Sequence, residues 1–369
     1  MDAKIFRLVQ LGRVRNSLFF NAESGLLVGD CIPDMKMKAI IAAKYGPPEV
    51  LQFKDVEKPV PKDYQVLIKV HAASVNAYDW HMLEGKPFLA RLMGSGLLKP
   101  KNTRPGSDVA GLVEAVGSGV RQLHVDDEVF GFCVGGFAEY ACAREELLVL
   151  KPANVTFEEA AATPLAALTA LQGLRDKGKV QAGQKVLING ASGGVGTFAV
   201  QIAKSFGAEV TAVCSTGKMD VARSIGADYV IDYTKEDFTK SGQLYDLILA
   251  TAGSHSIFDY RRALNPKGVY VFVGGSRMIQ IMALGPLISK TGDKKIVFFI
   301  MKPNKKDLVF VKDLLEAGKV KPVIDRCYSL NEVPEAISYL EEGHAKGKIV
   351  ITVTQGSHAP SLSSSPVRS

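Results

Sequence analysis

The chain has 369 residues, a formal net charge of +7 and a hydrophobic content of 47%. This length suits one large or two ordinary domains, and the hydrophobic content is sufficient for packed cores. No uninterrupted apolar run reaches the length of about 18 residues that a transmembrane helix needs, and the basic residues are spread along the chain rather than gathered in blocks. The sequence therefore argues against a membrane span and against a nucleic-acid partner.

The cysteines favour a reducing compartment. They are odd in number and contain no C-x-x-C pair: Cys31, Cys133, Cys142, Cys214 and Cys327. Reduced thiols in a cytosol-like compartment fit this pattern best. We therefore predict a cytoplasmic location.

The two ends of the chain are predicted to lie outside the folded body. Residues 1–36 precede an apolar segment that predicts the first strand of a domain, so they form an extension, and Met35 or Met37 is an alternative natural start. An organelle presequence is the other interpretation of 1–36, because basic residues outnumber acids at its beginning. The tail, residues 354–369, is rich in Ser and Pro and is predicted to be disordered.

Residues 37–157 have the pattern of a compact β-rich domain. Short apolar runs, for example 65–71 and 109–117, are separated by glycine and proline. Polar side chains are concentrated in two stretches, 73–80 and 104–111, which we expect to carry chemistry.

The segment 185–197 is the most informative part of the chain. An apolar strand leads into a glycine-rich turn, and a helical pattern follows that stops at Gly207. The turn has the G-x-G-x-x-G form with alanine in the first position, and its residues are Ala191, Ser192, Gly193, Gly194, Val195 and Gly196. Missing side chains let the backbone approach a pyrophosphate at a helix N-terminus. The segment predicts a dinucleotide site, with a ligand-free tight turn as the plain alternative.

Further apolar runs follow at the spacing of an α/β domain. They cover residues 209–215, 228–233, 245–250, 268–274 and 296–301. With the strand before the glycine loop they make six, the number of a full doubly wound parallel sheet.

The end of the second of these strands indicates which nucleotide is preferred. An NAD site usually has Asp or Glu about 20 residues beyond the glycine motif, whereas this chain has Ser215 and Lys218 there. A hydroxyl and a cation suit a 2′-phosphate, and Tyr233 at the end of the third strand is predicted to lie beside the adenosine. We therefore predict NADPH as the cofactor. An ordinary solvated lysine is the alternative for Lys218.

Together these stretches resemble the zinc-independent quinone oxidoreductase branch of the medium-chain dehydrogenase/reductase superfamily, which includes zeta-crystallin and chloroplast-envelope quinone oxidoreductase homologues. The resemblance rests on Asp79–Trp80, on the glycine loop, and on segments 318–325 and 343–349. It implies an α/β protein with a GroES-like β-rich catalytic domain, 37–157, and a Rossmann NADP-binding domain, 158–304. It also implies that residues 305–353 supply the last Rossmann helix and then return to the catalytic domain.

The resemblance further implies that there is no metal site. Zinc alcohol dehydrogenases of this superfamily have a catalytic Cys at the place of Asn76 and a Gly-His-Glu at the place of residues 106–108, which here are Gly, Ser and Asp. The cysteine-rich lobe that holds a structural zinc is absent as well. His71, His81 and His124 have no partner at metal-ligand spacing and are interpreted as surface or packing residues.

Two residues near the vacated metal position are the predicted catalytic residues. Asn76 is predicted to hydrogen-bond the cofactor ribose or the substrate carbonyl, and the alternative is a structural amide that caps a turn. Tyr78 is predicted to donate a proton or a hydrogen bond to an enolate oxygen. A core tyrosine is the alternative for Tyr78.

Three further residues are predicted to line the cofactor groove. Thr169 matches a threonine near the nicotinamide in quinone oxidoreductases, and a helix threonine that bonds its own backbone is the alternative. Thr251 and Gly274 lie in the loops after the fourth and fifth strands, at the carboxyl edge where ligands bind in such sheets.

The resemblance implies an NADPH-dependent enzyme that reduces quinones or the C=C bond of α,β-unsaturated carbonyls by hydride transfer. The expected partner is a small-molecule substrate bound in part by loop residues 82–103, and the chain is expected to be a homodimer or a monomer. An enoyl-thioester reductase and a non-catalytic NADPH-binding protein, crystallin-like or RNA-binding, are the alternatives.

Overall fold

The computed structural model describes residues 19–20, 27–28, 36–86 and 96–353. The predictions for the extension 1–36 and for the tail 354–369 therefore lie almost entirely outside the described residues, as does part of the loop 82–103. Within the extension, strand β1, Phe19–Phe20, pairs antiparallel with β2, Leu27–Val28.

The remaining described strands form three groups along the chain. In order they are β3 Lys36–Ile41, β4 Gln52–Glu57, β5 Gln65–Val75, β6 Asp108–Val116, β7 Glu128–Phe132, β8 Tyr140–Arg144, β9 Leu148–Leu150, β10 Lys185–Asn189, β11 Glu209–Cys214, β12 Tyr229–Asp232, β13 Tyr245–Ala250, β14 Leu264–Phe272, β15 Lys295–Phe298, β16 Ile324–Ser329 and β17 Lys348–Thr352. In the first group β5–β9 pair antiparallel, in the second β10–β15 pair parallel, and β16 and β17 join the sheet of β5.

The described α-helices are Ala77–Glu84, Phe157–Ala161, Pro164–Leu171, Gly194–Ser205, Met219–Ser224, Ile257–Arg262, Met278–Thr291, Lys305–Glu316 and Val333–Glu341. A π-helical turn, Gln172–Lys177, continues the third of these helices. Single 3-10 turns occur at Pro48–Val50, Glu145–Leu147, Thr216–Lys218, Phe238–Lys240 and Leu330–Glu332.

The β-rich part is organised around β5. This long strand pairs antiparallel with β6, β8 and β17, and the sheet continues in the order β16-β17-β5-β6-β7-β9. Strand β17 comes from the C-terminal segment, and its Ile349 lies opposite Val75. The end of the chain therefore closes the sheet that carries the residues just before Asn76.

The second sheet has six parallel strands in the order β12-β11-β10-β13-β14-β15. This order confirms the predicted doubly wound sheet. Strand β14 begins earlier than predicted, at Leu264, because a register shift against β13 accommodates Lys267, whose φ is +63°.

Alternate residues of the central strands bury in opposite layers. Val186 and Ile188 of β10 contribute to one apolar core, and Leu187 contributes to another on the opposite face of the sheet. A parallel sheet covered by helices on both faces requires near-continuous apolar strands, which is the pattern that the sequence shows. A third core fills the β-rich part.

Candidate active site and cofactor groove

The glycine loop connects β10 to the helix Gly194–Ser205 in a conformation that requires glycine. Gly190 has φ +88°. A Cβ at Gly196 would lie 2.0 Å from the carbonyl oxygen of Gly190, so only glycine lets the helix start so close to the strand. The first N–H groups of the helix have no carbonyl partner within it, and they lie at the positive end of the helix dipole, where an anion is favoured.

The residues of the predicted loop divide by exposure. Ala191, Ser192 and Gly196 are buried against the strand, whereas the three residues between them, 193–195, are partly exposed. A Cβ at Gly193 would meet only one atom, the Gly190 oxygen at 3.6 Å. The loop therefore presents backbone rather than side chains to the groove.

Thr251 and Gly274 lie together beside this loop. The Thr251 hydroxyl donates to the carbonyl oxygens of Asn189 and Gly190 at 3.0 and 3.1 Å. A Cβ at Gly274 would lie 2.9 Å from the Thr251 carbonyl oxygen. The structure thus brings both residues to the carboxyl edge of the sheet, next to the glycine loop.

The three residues that were predicted to bind the adenosine end of the cofactor lie around the ends of β11 and β12. Ser215 opens the 3-10 turn, and Tyr233 is 59% exposed with its N–H donating to the carbonyl of Cys214. The Lys218 ammonium donates to the carbonyl oxygens of Gly343 and Ala345 at 3.2 and 3.1 Å. Lys218 is therefore not the freely solvated lysine of the alternative interpretation, and burial lowers its pKa.

An acid that sequence spacing did not reveal lies at this end of the groove. Asp232 pairs in register with Cys214, at the end of β11. The hydroxyls of Thr216 and Thr234 both donate to its carboxylate, and these bonds lower the pKa of Asp232 to about 2. Its oxygens are occupied by these threonines, and the Asp-x-Thr sequence was the local signal for such a turn.

Thr169 lies in the helix Pro164–Leu171 and is buried. Its hydroxyl donates to the carbonyl oxygen of Leu165 at 2.6 Å, the contact of the alternative interpretation. The hydroxyl therefore has only lone pairs left for a ligand, and a role near the carboxamide stays a prediction.

Both ends of the Asn76 amide are hydrogen-bonded within the protein. Its nitrogen donates to Asp108 at 3.0 Å and to the carbonyl of Ser74 at 3.3 Å. Its oxygen accepts a hydrogen bond from the Lys348 ammonium at 2.5 Å. Asn76 also precedes the helix Ala77–Glu84, and its backbone N–H donates to Asp79. These contacts fix the orientation of the amide.

Two buried carboxylates lie behind Asn76. Asp108 is 0% exposed and accepts from the Ser74 hydroxyl at 2.8 Å and from the backbone N–H of Leu165 at 3.1 Å. Asp79 is 3% exposed and accepts from the Ser107 hydroxyl at 2.9 Å. Burial raises the pKa of both groups.

Lys348 supplies the positive charge among these groups. It is 2% exposed, and its ammonium lies 3.9 Å from the Asp108 carboxylate. Burial lowers the pKa of Lys348, and the two carboxylates oppose that effect. We refer to Ser74, Asn76, Asp79, Ser107, Asp108 and Lys348 as the buried polar cluster.

Lys348 also joins the cluster to the cofactor groove. Gly347 forms a β-bridge with Gly193 of the glycine loop. A Cβ at Gly194 would lie 3.1 Å from the Lys348 side chain. The return strand therefore runs directly from the glycine loop to Asn76.

Tyr78 lies on the first turn of the helix Ala77–Glu84 and is 52% exposed. It is not the core tyrosine of the alternative interpretation. Burial of its ring and the charge of Asp79 raise the pKa of its hydroxyl.

Comparison with known proteins agrees with this arrangement. Residues 62–153 match the alcohol dehydrogenase GroES-like domain family, and residues 225–351 match the zinc-binding dehydrogenase family. The chain is 39% identical to the 2-methylene-furan-3-one reductase of Solanum lycopersicum over 331 residues, which cover 86% of this chain and 79% of that protein. It is 36% identical to the chloroplast envelope quinone oxidoreductase homolog of Arabidopsis thaliana, with 82% and 93% covered.

A solved structure is similar over the same extent. The quinone oxidoreductase from Coxiella burnetii superposes with a TM-score of 0.78 at 31% identity and covers 86% of this chain and 100% of its own. The chain belongs to the quinone oxidoreductase branch of the medium-chain dehydrogenase/reductase superfamily.

In this chain, Asn76 and Ser107 stand at the positions where related zinc alcohol dehydrogenases have metal ligands. No group of three or more His, Cys, Asp or Glu side chains within residues 36–86 and 96–353 is placed to bind a metal ion. His71 stacks on Phe157 at 4.3 Å, and His81 stacks on Trp80 at 4.6 Å. His124 lies 3.8 Å from an Asp127 oxygen.

Only Asn76 of the six cluster members was predicted from the sequence as a site residue; the other five are Ser74, Asp79, Ser107, Asp108 and Lys348. Asp79 and Asp108 lie in the segments 73–80 and 104–111, which were expected to carry chemistry, so their positions were a signal. Lys348 stood in the segment 343–349, but nothing local connects it with Asn76, from which it is separated by 272 residues.

Proposed function

We propose that this protein uses NADPH to reduce quinones or the C=C bond of α,β-unsaturated carbonyls. The observation that carries the proposal is the direct junction between the glycine loop and the buried polar cluster, made by Gly193, Gly347 and Lys348. Relatives support it by name: one is an NADPH-dependent alkenal/one oxidoreductase of Arabidopsis thaliana, 37% identical to this chain.

The groove fits a dinucleotide phosphate. The partly exposed backbone of residues 193–195 is proposed to hold the diphosphate at the start of a helix. Thr251 and Gly274 line the wall. Ser215, Lys218 and Tyr233 are proposed to hold the adenosine and its 2′-phosphate, with Lys218 exchanging its carbonyl partners for the phosphate. Bound in this groove, NADPH supplies the hydride.

The catalytic side of the cleft suits a conjugated acceptor. Asn76 and Ser107 replace the metal ligands of related enzymes, so no Lewis acid is expected to stabilise an alkoxide there. An enone or quinone spreads the developing charge onto an oxygen that hydrogen bonds can stabilise. We propose that the exposed Tyr78 hydroxyl donates to this oxygen, and that Asn76, held on both its amide atoms, fixes the floor of the site.

Isotope labelling tests the reaction. With NADPH that carries deuterium at the transferred C4 position and a small enone, deuterium is expected at the β-carbon of the saturated product. Mass spectrometry and NMR locate the label. Label at the carbonyl carbon of an allylic alcohol contradicts the proposal, and so does the absence of NADPH consumption with every enone and quinone tested.

Reduction of an enoyl thioester is a second candidate. The enoyl reductase CurK superposes with a TM-score of 0.76 at 27% identity and covers 87% of this chain and 100% of its own. The same chemistry would apply, because a thioester also conjugates with the double bond. Comparison of kcat/KM for a crotonyl thioester and for the matching methyl ketone distinguishes the two substrate classes.

Location, assembly and domain limits are also proposals. No helix in the described ranges is long and apolar enough to cross a membrane. Relatives are named as chloroplastic or mitochondrial, so we propose an organelle and the cytoplasm as the two alternative locations of this protein. A reporter fused after residue 36 in the native cell decides between them, and light scattering decides between monomer and homodimer. Limited proteolysis tests the proposed domains 37–157 and 158–304 with the return segment 305–353.

A further inference from the structure

The buried polar cluster has an exit to the surface at a single side chain. Ser74, Asn76, Asp79, Asp108 and Lys348 are each 5% exposed or less. Ser107 is partly exposed, and among the described residues it is the one cluster member that reaches the surface. A proton that leaves or enters the cluster therefore passes Ser107.

Hydrogen bonds are shared unequally between the two carboxylates. Asp108 accepts from the Ser74 hydroxyl, the Asn76 amide and the backbone N–H of Leu165, and it has the nearest ammonium. Among the described residues, Asp79 accepts two hydrogen bonds, from the backbone N–H of Asn76 and from the hydroxyl of Ser107. The ionised form of Asp79 is therefore the less stabilised of the two.

The charge balance of the cluster favours a bound proton. Two carboxylates and one ammonium leave a net negative charge away from water, which is costly. One proton removes it, and Asp79 is the better acceptor of that proton because it has fewer donors. Burial and the negative charge of Asp108 raise the pKa of Asp79 to about 6, although Ser107, Asn76 and Lys348 act in the opposite direction.

The protonation state of Asp79 sets the direction of the Ser107 hydroxyl. When Asp79 is ionised, the Ser107 hydroxyl donates its one hydrogen bond to the carboxylate and leaves only lone pairs facing the surface. When Asp79 is protonated, its O–H can donate to the Ser107 oxygen. The Ser107 O–H is then free to donate outward.

We propose that Ser107 delivers the proton that the reaction requires, and that Asp79 supplies it. The proposal rests on the proposed function and adds to it a proton donor and its source. In the step, the carboxyl O–H bond of Asp79 breaks as its proton passes to the Ser107 oxygen. The Ser107 proton passes to the enolate oxygen and forms an enol O–H bond. No electrons move to or from the protein, and Asp79 regains a proton from solvent after the product leaves.

Other titratable groups lie near Asp79. Within the described residues these are Asp108 and Lys348 in the cluster, Cys133 beside it, and Tyr78 on the same helix. Burial raises the pKa of Cys133 well above its usual value, and the pKa of Tyr78 is raised as well. Neither group is expected to titrate in the range where Asp79 does.

Steady-state kinetics of Ser107→Ala, Ser107→Thr and Asp79→Asn test the proposal. An acid acts in its protonated form, so wild-type kcat for an enone is expected to fall as pH rises above about 6 and to show a solvent deuterium isotope effect. Ser107→Ala is expected to lose about a hundredfold in kcat together with the pH slope and the isotope effect, while NADPH affinity is retained. Ser107→Thr keeps a hydroxyl and is expected to keep all three. Asp79→Asn is expected to lose the slope.

A matched control is Ser118→Ala. The Ser118 hydroxyl also donates to an aspartate, Asp63, at 2.9 Å, but on the exposed surface, and its loss is expected to change nothing. If Asp79→Asn does not fold, the two Ser107 variants carry the test. The proposal is overturned if the kcat of Ser107→Ala stays within threefold of wild type with an unchanged pH slope and isotope effect. It is also overturned if the pH slope is lost in Tyr78→Phe and kept in Ser107→Ala.

Infrared titration of the nucleotide-free protein separates this proposal from the function. A buried carboxyl C=O band is expected to appear below about pH 6 in the wild type and to be absent in Asp79→Asn. In Ser107→Ala its midpoint is expected to rise, because the ionised form loses a donor. Identical spectra for wild type and Asp79→Asn overturn the proposal even if turnover is observed. The expected band with no turnover of any enone or quinone refutes the function instead.

Discussion

The glycine loop and the buried polar cluster lie next to each other but are built in opposite ways. The loop is made of backbone from one short segment, and its key property is the absence of side chains at Gly193 and Gly196. The cluster is made of side chains from β5, β6, a helix start and β17. The glycine loop therefore depends on the absence of side-chain atoms. The buried polar cluster depends on charged side chains that neutralise one another.

This difference predicts different consequences of substitution. An added methyl group in the glycine loop collides with neighbouring atoms and so weakens cofactor binding. The effect stays local, because the strand and the helix on either side of the loop keep their own contacts. A lost partner in the cluster leaves a charge without water or counter-ion, so the whole domain is destabilised.

The largest effect is expected from Lys348→Met. Removal of the ammonium leaves Asp79 and Asp108 without their cation, and we expect a loss of about 3–5 kcal/mol in the free energy of unfolding. Urea unfolding measures it. The addition of Asp108→Asn is expected to recover part of the loss. As a control, Lys204→Met breaks a partly exposed pair with Asp228 and should cost about 1 kcal/mol or less. Equal losses in the two single variants would remove the distinction between cluster and surface.

The next effect concerns the loop. A Cβ at Gly196 would lie 2.0 Å from the Gly190 oxygen, so Gly196→Ala must push the loop away from the strand. We expect a cost of about 1–3 kcal/mol in the free energy of unfolding and, because the displaced backbone no longer fits the diphosphate, a loss of about tenfold or more in NADPH affinity. Quenching of NADPH fluorescence measures the Kd. Gly292→Ala is the control, because Gly292 has an extended backbone and a Cβ there would approach no atom more closely than 3.4 Å. An unchanged Kd for Gly196→Ala would show that the loop does not hold the cofactor.

A smaller and more selective effect is expected at the adenosine end. Lys218→Ala should lose a charge-assisted contact of about 1.5 kcal/mol or more, roughly tenfold in NADPH affinity, while the Kd for NADH barely changes. Titration with both nucleotides measures it. Because Lys218 also holds the carbonyls of Gly343 and Ala345, equal losses for both nucleotides would assign it a structural role. Lys235→Ala serves as a nearby exposed control.

No effect is expected from metal removal. Asn76 and Ser107 stand at the ligand positions of the related zinc enzymes, so dialysis against a chelator should leave both turnover and melting temperature unchanged. Elemental analysis of the purified protein checks the same point. Stoichiometric zinc, or activity lost with chelator and restored by zinc, contradicts the expectation.

Much of the fold could be predicted because its signals are local. The helix predicted after the glycine loop is Gly194–Ser205, and the six predicted strands form one sheet in the expected order. The glycine loop is recognisable because strand, turn and helix are contiguous, and its requirement for glycine arises from neighbours only a few residues away.

The chemistry of the catalytic side could be predicted only in part. Asn76 and Tyr78 were predicted by position, but the sequence could not show that protein partners hydrogen-bond both ends of the Asn76 amide. Nor could it show that Thr169 donates to its own helix or that Asp232 lies in register with Cys214. Each of these contacts depends on side-chain direction or strand pairing.

The sequence by itself determined the class of the fold, the glycine loop and the substitution of Asn76 and Ser107 for metal ligands, because these are properties of residue type at fixed local spacing. Only the tertiary structure decided that the Lys348 ammonium lies against Asn76 and 3.9 Å from Asp108. That contact exists because β17 pairs with β5 across the β-rich sheet, and no local pattern specifies which distant strands will pair.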